Sequence, residues 1–250
     1  MDGLLDATAQ AEERHFWFRG LRRSARALLE AALDGRPARR IIDCGAGTGR
    51  NLEWLAGLGP ASGIELSPAG VRYARAHGRP VARGSVTHLP LANDSADVAT
   101  SFDVLVCLDD AAERQAVREM WRVLAPGGIG LFNVAALPML HGAHSILSGE
   151  HRRYSRGSLT DLLTGAGFLV ERLTFTNMVT LPIVLALRLV DRLTGRAKTA
   201  SAAELRVPPA PVNLSLDAAL RLESALLPYA SLPIGSSILC VARKPRVKRT

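Results

Sequence analysis

Short apolar runs recur at regular intervals along the first half of the chain. Between them, apolar residues are spaced three and four positions apart, as on the buried face of a helix. Strands that alternate with helices through short loops build a parallel, doubly wound α/β sheet. We therefore predict five strands, at 40–44, 62–66, 79–85, 96–102 and 129–136.

The segments between these strands carry helix start and stop signals. "GLRRSARALLEAAL" (20–33) places arginines opposite an apolar face, and a short helix is expected to begin near Arg50. Ser67 is a candidate N-cap, with Pro68 at the first helical position. Residues 109–124 predict a strongly amphipathic helix, and we expect the "APGG" that follows to end it.

The second half of the chain is less regular. "RGSLTDLLTGAGFLVERLTF" predicts a helix, a glycine stop and a strand, and 236–244 predicts a last strand. The long stretch between these two strands carries an apolar helix, a loop at "VPPAP" and a second helix, "LDAALRLESALL". An insertion of this length usually builds part of a site or an interface.

Composition narrows the class of protein. The net charge of +8 would suit an anionic partner, but nearly all the basic residues are arginine, a bias typical of a GC-rich genome. We therefore do not expect nucleic-acid binding, and we interpret "RKPRVKRT" at the C-terminus as a solvated tail. Cys44, Cys107 and Cys240 lie far apart among apolar residues, which indicates reduced thiols without a disulfide or zinc spacing. The acidic, polar N-terminus does not resemble a signal peptide, so a soluble cytoplasmic protein is expected.

The glycine-rich turn after the first strand, "IIDCGAGTGR" (41–50), points to a ligand. Its glycines are Gly45, Gly47 and Gly49, whereas a dinucleotide fingerprint would need glycine at Arg50. A P-loop would need Gly-Lys-Ser/Thr, which does not follow. What remains is a tight turn that leads into a helix N-terminus. Glu65 ends the second strand, where a carboxylate can accept both hydroxyls of a ribose.

Four motifs in this order resemble the class I S-adenosylmethionine-dependent methyltransferases, of the bacterial type 11-like group. "IIDCGAGTG" is similar to the family's first motif and "GIELS" to its acidic ribose motif. "LPLANDSADVATSFDVL" resembles the stretch into the fourth strand, and "MWRVLAPGGIGLF" the following helix, turn and strand. The resemblance is strong over 40–135 and moderate over 165–175.

The resemblance implies a Rossmann-like, seven-stranded sheet that is mostly parallel with an antiparallel last strand. It also implies one methyltransferase domain with a helical insertion before that strand. Its expected parts are an N-terminal lid helix (1–35), a cofactor-binding core (36–175), the insertion (176–235), and the last strand with the basic tail (236–250).

The resemblance also implies that S-adenosyl-L-methionine is the cofactor, and it assigns candidate contacts. Asp43 and the turn would lie at the methionine and ribose, Glu65 at the ribose hydroxyls, and Leu66 against the adenine. Ser101 and Phe102 would lie beside the sulfonium. The candidates for cofactor binding are Arg19, Arg22, Asp43, Gly45, Ala46, Gly47, Gly49, Glu65, Leu66, Ser85, Val86, Ser101 and Phe102.

Two departures from the family pattern change these assignments. Where relatives often carry Gly-Asp-Ala, with the Asp on the adenine amine, this chain has Gly84, Ser85 and Val86. A hydroxyl can still bond the amine, at lower expected affinity. Cys107 stands where relatives often carry histidine, so no base or metal role is transferred to it.

The N-terminal segment "EERHFWFRGLRR" (12–23) resembles an amphipathic lid over the cofactor in some bacterial members. Its aromatic residues equally suit docking of the helix on the sheet. Arg19, Arg22 or Arg23 could pair with the methionine carboxylate.

The segment "HGAHSILSGEHRRYS" (141–155) follows the fifth strand, where an open α/β sheet presents its site. His144, His151 and Tyr154 are its candidate catalytic residues, and scaffold is the equal alternative. We expect no metal, because no carboxylate and histidine share one helical face here.

The segment 176–193 is more apolar than a surface helix requires but too short to span a bilayer. It is either a helix buried under the second insertion helix, or an apolar wall for a hydrophobic acceptor. A patch resting on a membrane surface is a variant of the second alternative.

Three functions stay open. The leading hypothesis is methyl transfer to a small-molecule or lipid-linked acceptor, with peripheral membrane contact as an option. The second is an RNA or protein methyltransferase, although the Asn/Asp-Pro-Pro-Tyr/Phe signature of many amine methylators is missing. The third is a cofactor-binding partner protein without turnover. The sequence leaves the oligomeric state open.

Overall fold

The computed structural model describes residues 8–140, 149–193 and 207–246. Within the helix over 181–193, the side chains of residues 187–189 and 191–193 lie outside the description. His141 and His144, two histidines of the predicted acceptor loop, also lie outside the described residues.

One seven-stranded sheet forms the centre of the molecule, with the strand order β3-β2-β1-β4-β5-β7-β6. The pairs among the first five strands are parallel, and β7 runs antiparallel to both of its neighbours, β5 and β6. The sequence-based prediction of a mostly parallel sheet with an antiparallel last strand is confirmed. The strands are β1 (Ile41–Cys44), β2 (Ala61–Glu65), β3 (Val81–Arg83), β4 (Ala96–Phe102), β5 (Leu124–Ala135), β6 (Leu169–Thr176) and β7 (Ser237–Arg243).

Seven helices are numbered here in chain order through the described residues. Ser67 caps the third of them as predicted, because its side chain accepts a hydrogen bond from the amide of Gly70, and Pro68 follows in the first turn. The helices are α1 (Phe16–Leu33), α2 (Asn51–Leu55), α3 (Pro68–Ala76), α4 (Asp110–Val123), α5 (Arg156–Gly165), α6 (Leu181–Leu193) and α7 (Ala210–Leu226).

The start of β5 differs from the prediction. Instead of a separate turn, "APGG" lies inside the strand, which begins at Leu124 directly after α4. The pairing with β4 moves from Ala96–Leu124 to Val98–Ile129, so the four residues are absorbed as an irregularity in the ladder. A bulge with Gly127 at φ +87° takes up the extra length, and a proline–glycine pattern of this kind also fits a turn.

The insertion before the last strand binds to the N-terminal helix. Asp217 of α7 pairs with Arg23 and, at 3.4 Å, with Arg19. Asn213 accepts from the amide of Phe16 at 2.9 Å and donates to the carbonyl of Arg14 at 2.8 Å. These polar contacts tie two segments together that are almost two hundred residues apart in the sequence, and they position α1 beside the sheet.

The apolar helix α6 has mixed surroundings. Leu181 is buried, while Ile183 and Leu185 are 49% and 37% exposed. No helix within the described ranges combines the length and the apolarity that crossing a membrane requires.

Candidate active site

The glycine turn joins β1 to α2 at the carboxyl edge of the sheet. Gly45, Gly47 and Gly49 all have positive φ, at +85°, +54° and +73°. A Cβ on Gly45 would lie 2.3 Å from Cγ2 of Val104, so the loop after β4 packs directly on the turn. At Gly47 a Cβ would meet nothing within 4 Å. The turn is therefore packed on one side and open on the other, as a backbone that receives a ligand has to be.

Glu65 connects the turn to the loop after β2. Its carboxylate accepts hydrogen bonds from the amide of Gly47 at 2.8 Å and from the amide of Ser67 at 2.7 Å. Both donors hold the carboxylate beside the open face of Gly47. A charged acceptor fixed in this way is suited to bind hydroxyl groups of a ligand.

Leu66, next to Glu65, is 64% exposed. A large apolar side chain this accessible, adjacent to a fixed carboxylate, offers a surface for a flat apolar group. Across the loop after β3, the hydroxyl of Ser85 lies 2.8 Å from that of Thr87, and Val86 is partly buried against the core. Ser85 would have to share or release this bond to contact a ligand amine.

Asp43 is a buried acid of β1, two residues before Gly45 of the turn. Its side chain is 1% exposed and accepts a 2.7 Å hydrogen bond from the hydroxyl of Thr100 on β4. Burial raises the pKa of Asp43 to about 7, and the nearby charge of Glu65 acts in the same direction. Oδ2 of Asp43 is buried and lacks a hydrogen-bond partner within the described structure.

Ser101 and Phe102 end β4 as predicted. Ser101 is 1% exposed, and Phe102 stacks edge-on against Trp54 of α2 at 6.2 Å between ring centroids. These residues therefore reach the same edge as the glycine turn, because β1 and β4 are neighbours in the sheet.

The N-terminal segment contacts the turn through a residue that the sequence analysis did not single out. The hydroxyl of Thr48 donates to the carboxylate of Glu12 at 2.6 Å, and Arg22 donates to the carbonyl of Glu12. Burial raises the pKa of Glu12, against the opposing effects of Thr48 and Arg22. Arg22 thus reaches the turn through Glu12, while Arg19 pairs with Asp217, so neither guanidinium has a direct contact with the turn among the described residues.

The loop after β5 is tied to α4. Tyr154 is 3% exposed, and its hydroxyl donates to the carboxylate of Glu113. Arg152 donates to the same carboxylate at 2.7 Å. The amide of His151 donates to the carbonyl of Val106 at 2.7 Å, and the residue is exposed. Tyr154 and Arg152 therefore hold the loop in place, whereas His151 is accessible to a ligand.

Two further polar residues lie at this edge, Asp103 directly after β4 and Asn133 on β5. Nδ2 of Asn133 donates to the carboxylate of Asp103 at 2.9 Å. In the sequence, Asp103 could have been found as a charged residue at the carboxyl end of a buried strand. Its contact with Asn133 leaves no local pattern, because Asn133 lies on a different strand. Among the described residues, no group of histidine, cysteine and acidic side chains is arranged to hold a metal ion.

Comparison with known proteins gives this arrangement a context. Residues 42–132 match a family model described as a methyltransferase domain. The chain is 32% identical, over 165 residues that are 64% of its length, to a "probable S-adenosylmethionine-dependent methyltransferase" of Mycolicibacterium smegmatis. It is 31% identical, over 158 residues that are 60% of its length, to a malonyl-[acyl-carrier protein] O-methyltransferase of Herminiimonas arsenicoxydans. The matched regions span 62% and 60% of the lengths of these relatives.

A solved structure shares the fold across the whole chain. It is a complex of the Haloferax volcanii Trm112 methyltransferase activator with a methyltransferase. The match has a TM-score of 0.61 at 18% identity, and it covers 100% of this chain and 97% of the other. At this identity the likeness shows the fold alone.

Proposed function

The chain belongs to the class I S-adenosylmethionine-dependent methyltransferases, and from this premise we propose that it transfers a methyl group to a small-molecule or lipid-linked acceptor. When bound, the sulfonium of S-adenosyl-L-methionine supplies a methyl carbon whose bond to sulfur breaks as a nucleophile attacks in line. The protein's part is to hold both reactants and to exclude water.

The open face of the glycine turn is the observation that carries this proposal. The free space at Gly47 admits a ligand against the backbone, and the Glu65 carboxylate already lies beside it. In this arrangement Glu65 binds the ribose hydroxyls and Leu66 covers one face of the adenine. Asp43, with one oxygen uncommitted, supports the methionine end together with Gly45, Ala46 and Gly49. Ser101 and Phe102 border the sulfonium, and Ser85 with Val86 borders the adenine.

The arginines favour a small acceptor over a nucleic acid. Within the described residues, several of them pair with acids of the same chain, and this pairing reduces the positive charge that is free to bind a nucleic acid. Arg23 binds Asp217, Arg79 binds Glu53 at 2.8 Å, and Arg243 binds Glu171. The net charge of +8 therefore gives little support to RNA as the acceptor.

The exposed face of α7 supports a lipid-linked acceptor. Leu214 and Leu222 are 61% and 73% exposed, and Tyr229 beyond the helix is 87% exposed. The two acids of α7, Asp217 and Glu223, are buried instead. An apolar face without exposed acids is compatible with an anionic lipid surface. The name of the Herminiimonas arsenicoxydans relative, by comparison, specifies an acyl-carrier-protein-linked acceptor.

Calorimetry tests the cofactor half of the proposal. S-adenosyl-L-methionine and S-adenosylhomocysteine should bind the wild-type protein, and NAD should bind more weakly or not at all. Tighter binding of NAD would overturn the proposal.

Incubation with methyl-tritiated S-adenosyl-L-methionine and a cell extract tests the acceptor half. Label in the organic-soluble fraction supports the proposed acceptor, and label in acid-precipitable RNA or protein supports the second hypothesis. Bound cofactor without transfer to any fraction would indicate a partner protein without turnover. Where label is transferred, mass spectrometry of a co-purified ligand would identify the acceptor.

Sedimentation with vesicles tests the lipid contact separately. Binding to phosphatidylglycerol vesicles that decreases in Leu222→Glu supports it, with Ala218→Ser as the matched control on the same face. A protein that stays in the supernatant with every vesicle rules out the membrane contact but leaves a small-molecule acceptor.

A further inference from the structure

Asp103 lies at the point where β4 reaches the edge of the sheet. Its amide donates to the carbonyl of Asn133 at 3.0 Å, which continues the ladder between β4 and β5 by one residue. The next residue, Val104, is the one that packs against Gly45. The loop that carries Asp103 is therefore in direct contact with the glycine turn, although the loop and the turn follow different strands, β4 and β1.

The backbone of Asp103 is in the left-handed region, with φ +56°. Only glycine adopts this region without cost, and Asn and Asp tolerate it better than other residues. The conformation turns the chain sharply after β4. It also makes Asp103 replaceable by asparagine or glycine without added backbone strain.

The carboxylate of Asp103 is held by a fully buried amide. Asn133 is 0% exposed, and its Nδ2 donates to Asp103 at 2.9 Å. Oδ1 of the same amide is buried and has no hydrogen-bond partner in the described part of the chain. A buried amide oxygen without a partner is destabilising, so it points to a donor supplied by a ligand.

The surroundings of Asp103 add a second carboxylate and a guanidinium. Glu150 and Arg153, from the loop after β5, lie 3.1 Å apart and are largely buried. Burial and, to a smaller extent, the charge of Glu150 raise the pKa of Asp103 to about 7, against the opposing effects of Asn133 and Arg153. A carboxyl group in this range can accept a proton near neutral pH and release it again.

We propose that Asp103, positioned by Asn133, faces the transferred methyl group and accepts the proton of an acceptor that carries an N–H or O–H group. The acceptor atom bonds to the methyl carbon, the sulfur keeps the electron pair of the broken carbon–sulfur bond, and the acceptor's proton passes to the Asp103 carboxylate. The uncommitted Oδ1 of Asn133 receives a second donor of the acceptor. This inference rests on the proposed function, because it requires the cofactor in the glycine turn.

Sinefungin tests the position of Asp103 without knowledge of the acceptor. This analogue carries a primary amine where the cofactor carries its methyl sulfonium, while S-adenosylhomocysteine has neither group. A carboxylate that faces the methyl position should bind the amine of sinefungin and be indifferent to S-adenosylhomocysteine. We expect Asp103→Asn to weaken sinefungin about tenfold and to leave S-adenosylhomocysteine within about twofold.

One further variant repeats the test at Asp103, and another serves as its control. Asp103→Gly suits the positive φ, so it should fold and show the same selective loss. Asp161→Asn, which changes an exposed carboxylate on α5, should change neither affinity. The sinefungin affinity of the wild type should also increase from pH 6 to pH 8, and Asp103→Asn should remove this increase.

The possible failures are distinguishable. If both ligands weaken equally, Asp103 binds the amino group of the methionine part, and the inference is overturned. If neither weakens, Asp103 only shapes the loop, and the inference is again overturned. If the wild type binds neither ligand, the proposed function itself fails.

Discussion

The hydroxyl of Thr48 in the glycine turn donates a 2.6 Å hydrogen bond to the carboxylate of Glu12 in the N-terminal segment. Thr48 is 2% exposed, so the bond is shielded from water. The same segment continues into α1, which α7 holds through Asp217 and Asn213. The turn, the N-terminal segment and the insertion therefore form one connected polar structure, and a lid over the cofactor would be attached at Glu12.

Removing this attachment should destabilise the protein. Glu12→Ala leaves the buried Thr48 hydroxyl without its acceptor, so we expect the free energy of unfolding to decrease by roughly 1–3 kcal/mol. Glu12→Gln keeps an oxygen at the same place and should cost less. Urea unfolding measures both. The control is Glu13→Ala, whose carboxylate is 61% exposed and should change stability little; equal losses at both positions would contradict the attachment.

Glu65 should control cofactor affinity. Glu65→Ala removes a charged acceptor, so the binding free energy of S-adenosylhomocysteine should weaken by roughly 1–3 kcal/mol in calorimetry. The variant also leaves the amides of Gly47 and Ser67 without their acceptor, so its unfolding is measured in parallel. Glu30→Ala, on the surface of α1 with 46% side-chain exposure, is the matched control. An unchanged affinity in Glu65→Ala would remove Glu65 from the site.

Asp43 should make stability depend on pH in an unusual direction. Its pKa is raised to about 7 in the folded protein, so the folded state binds the proton more tightly than the unfolded state. The resulting stabilisation is complete below about pH 4 and is lost as the pH increases through about 7. Asp43→Asn does not titrate. The stability of the wild type relative to this variant should therefore decrease by roughly 2–4 kcal/mol from pH 4 to pH 8.

The measurement for Asp43 is urea unfolding of both proteins at several pH values across that range. Asp103 and the other shifted groups are common to both proteins, so their contributions cancel in the difference. Asp161→Asn should follow the wild type at every pH. Parallel curves for wild type and Asp43→Asn would show that Asp43 is ionised throughout.

Substitutions at Tyr154 and His151 should differ in their effects on stability. Tyr154→Phe removes a buried hydroxyl from Glu113, and Arg152 still binds that carboxylate. We expect about 1 kcal/mol lower stability and unchanged cofactor affinity. His151→Ala should leave stability unchanged, because the residue is exposed. Once the acceptor is known, a lower kcat at unchanged stability would support the predicted role of His151 in turnover. For Tyr154, the support would be a lower kcat at a temperature where the Tyr154→Phe variant remains folded.

The sequence predicts the sheet well because its strands carry short apolar stretches that alternate with helical patterns. It also locates the turn and Glu65, since both belong to short local motifs. The start of β5 was missed because a bulge and a turn share the same proline–glycine pattern. Contacts between distant segments leave no local pattern: Glu12 with Thr48, Asp217 with Arg23, and Asn133 with Asp103 are formed by the packing of α1, α7 and the strand order.

Two glycines of the turn should respond differently to the same substitution. Gly45→Ala forces a Cβ to within 2.3 Å of Val104, at a backbone with φ +85°. Overpacking and left-handed strain together should lower the free energy of unfolding by roughly 2–4 kcal/mol. At Gly47 the Cβ meets no protein atom within 4 Å, so only the strain of φ +54° remains, roughly 1–2 kcal/mol.

Ligand binding should be weakened by Gly47→Ala, the substitution with the smaller effect on stability. The Cβ of Gly47→Ala occupies the space that the proposed cofactor fills, so S-adenosylhomocysteine should bind at least tenfold more weakly to this variant, a change of about 1.4 kcal/mol. Gly78→Ala is the control, because Gly78 has φ +69°, equally open surroundings and a position in the turn after α3. It should lose similar stability and no affinity. If Gly47→Ala binds like Gly78→Ala, the cofactor does not lie against the open face of the turn, and the contact assigned to Gly47 is wrong.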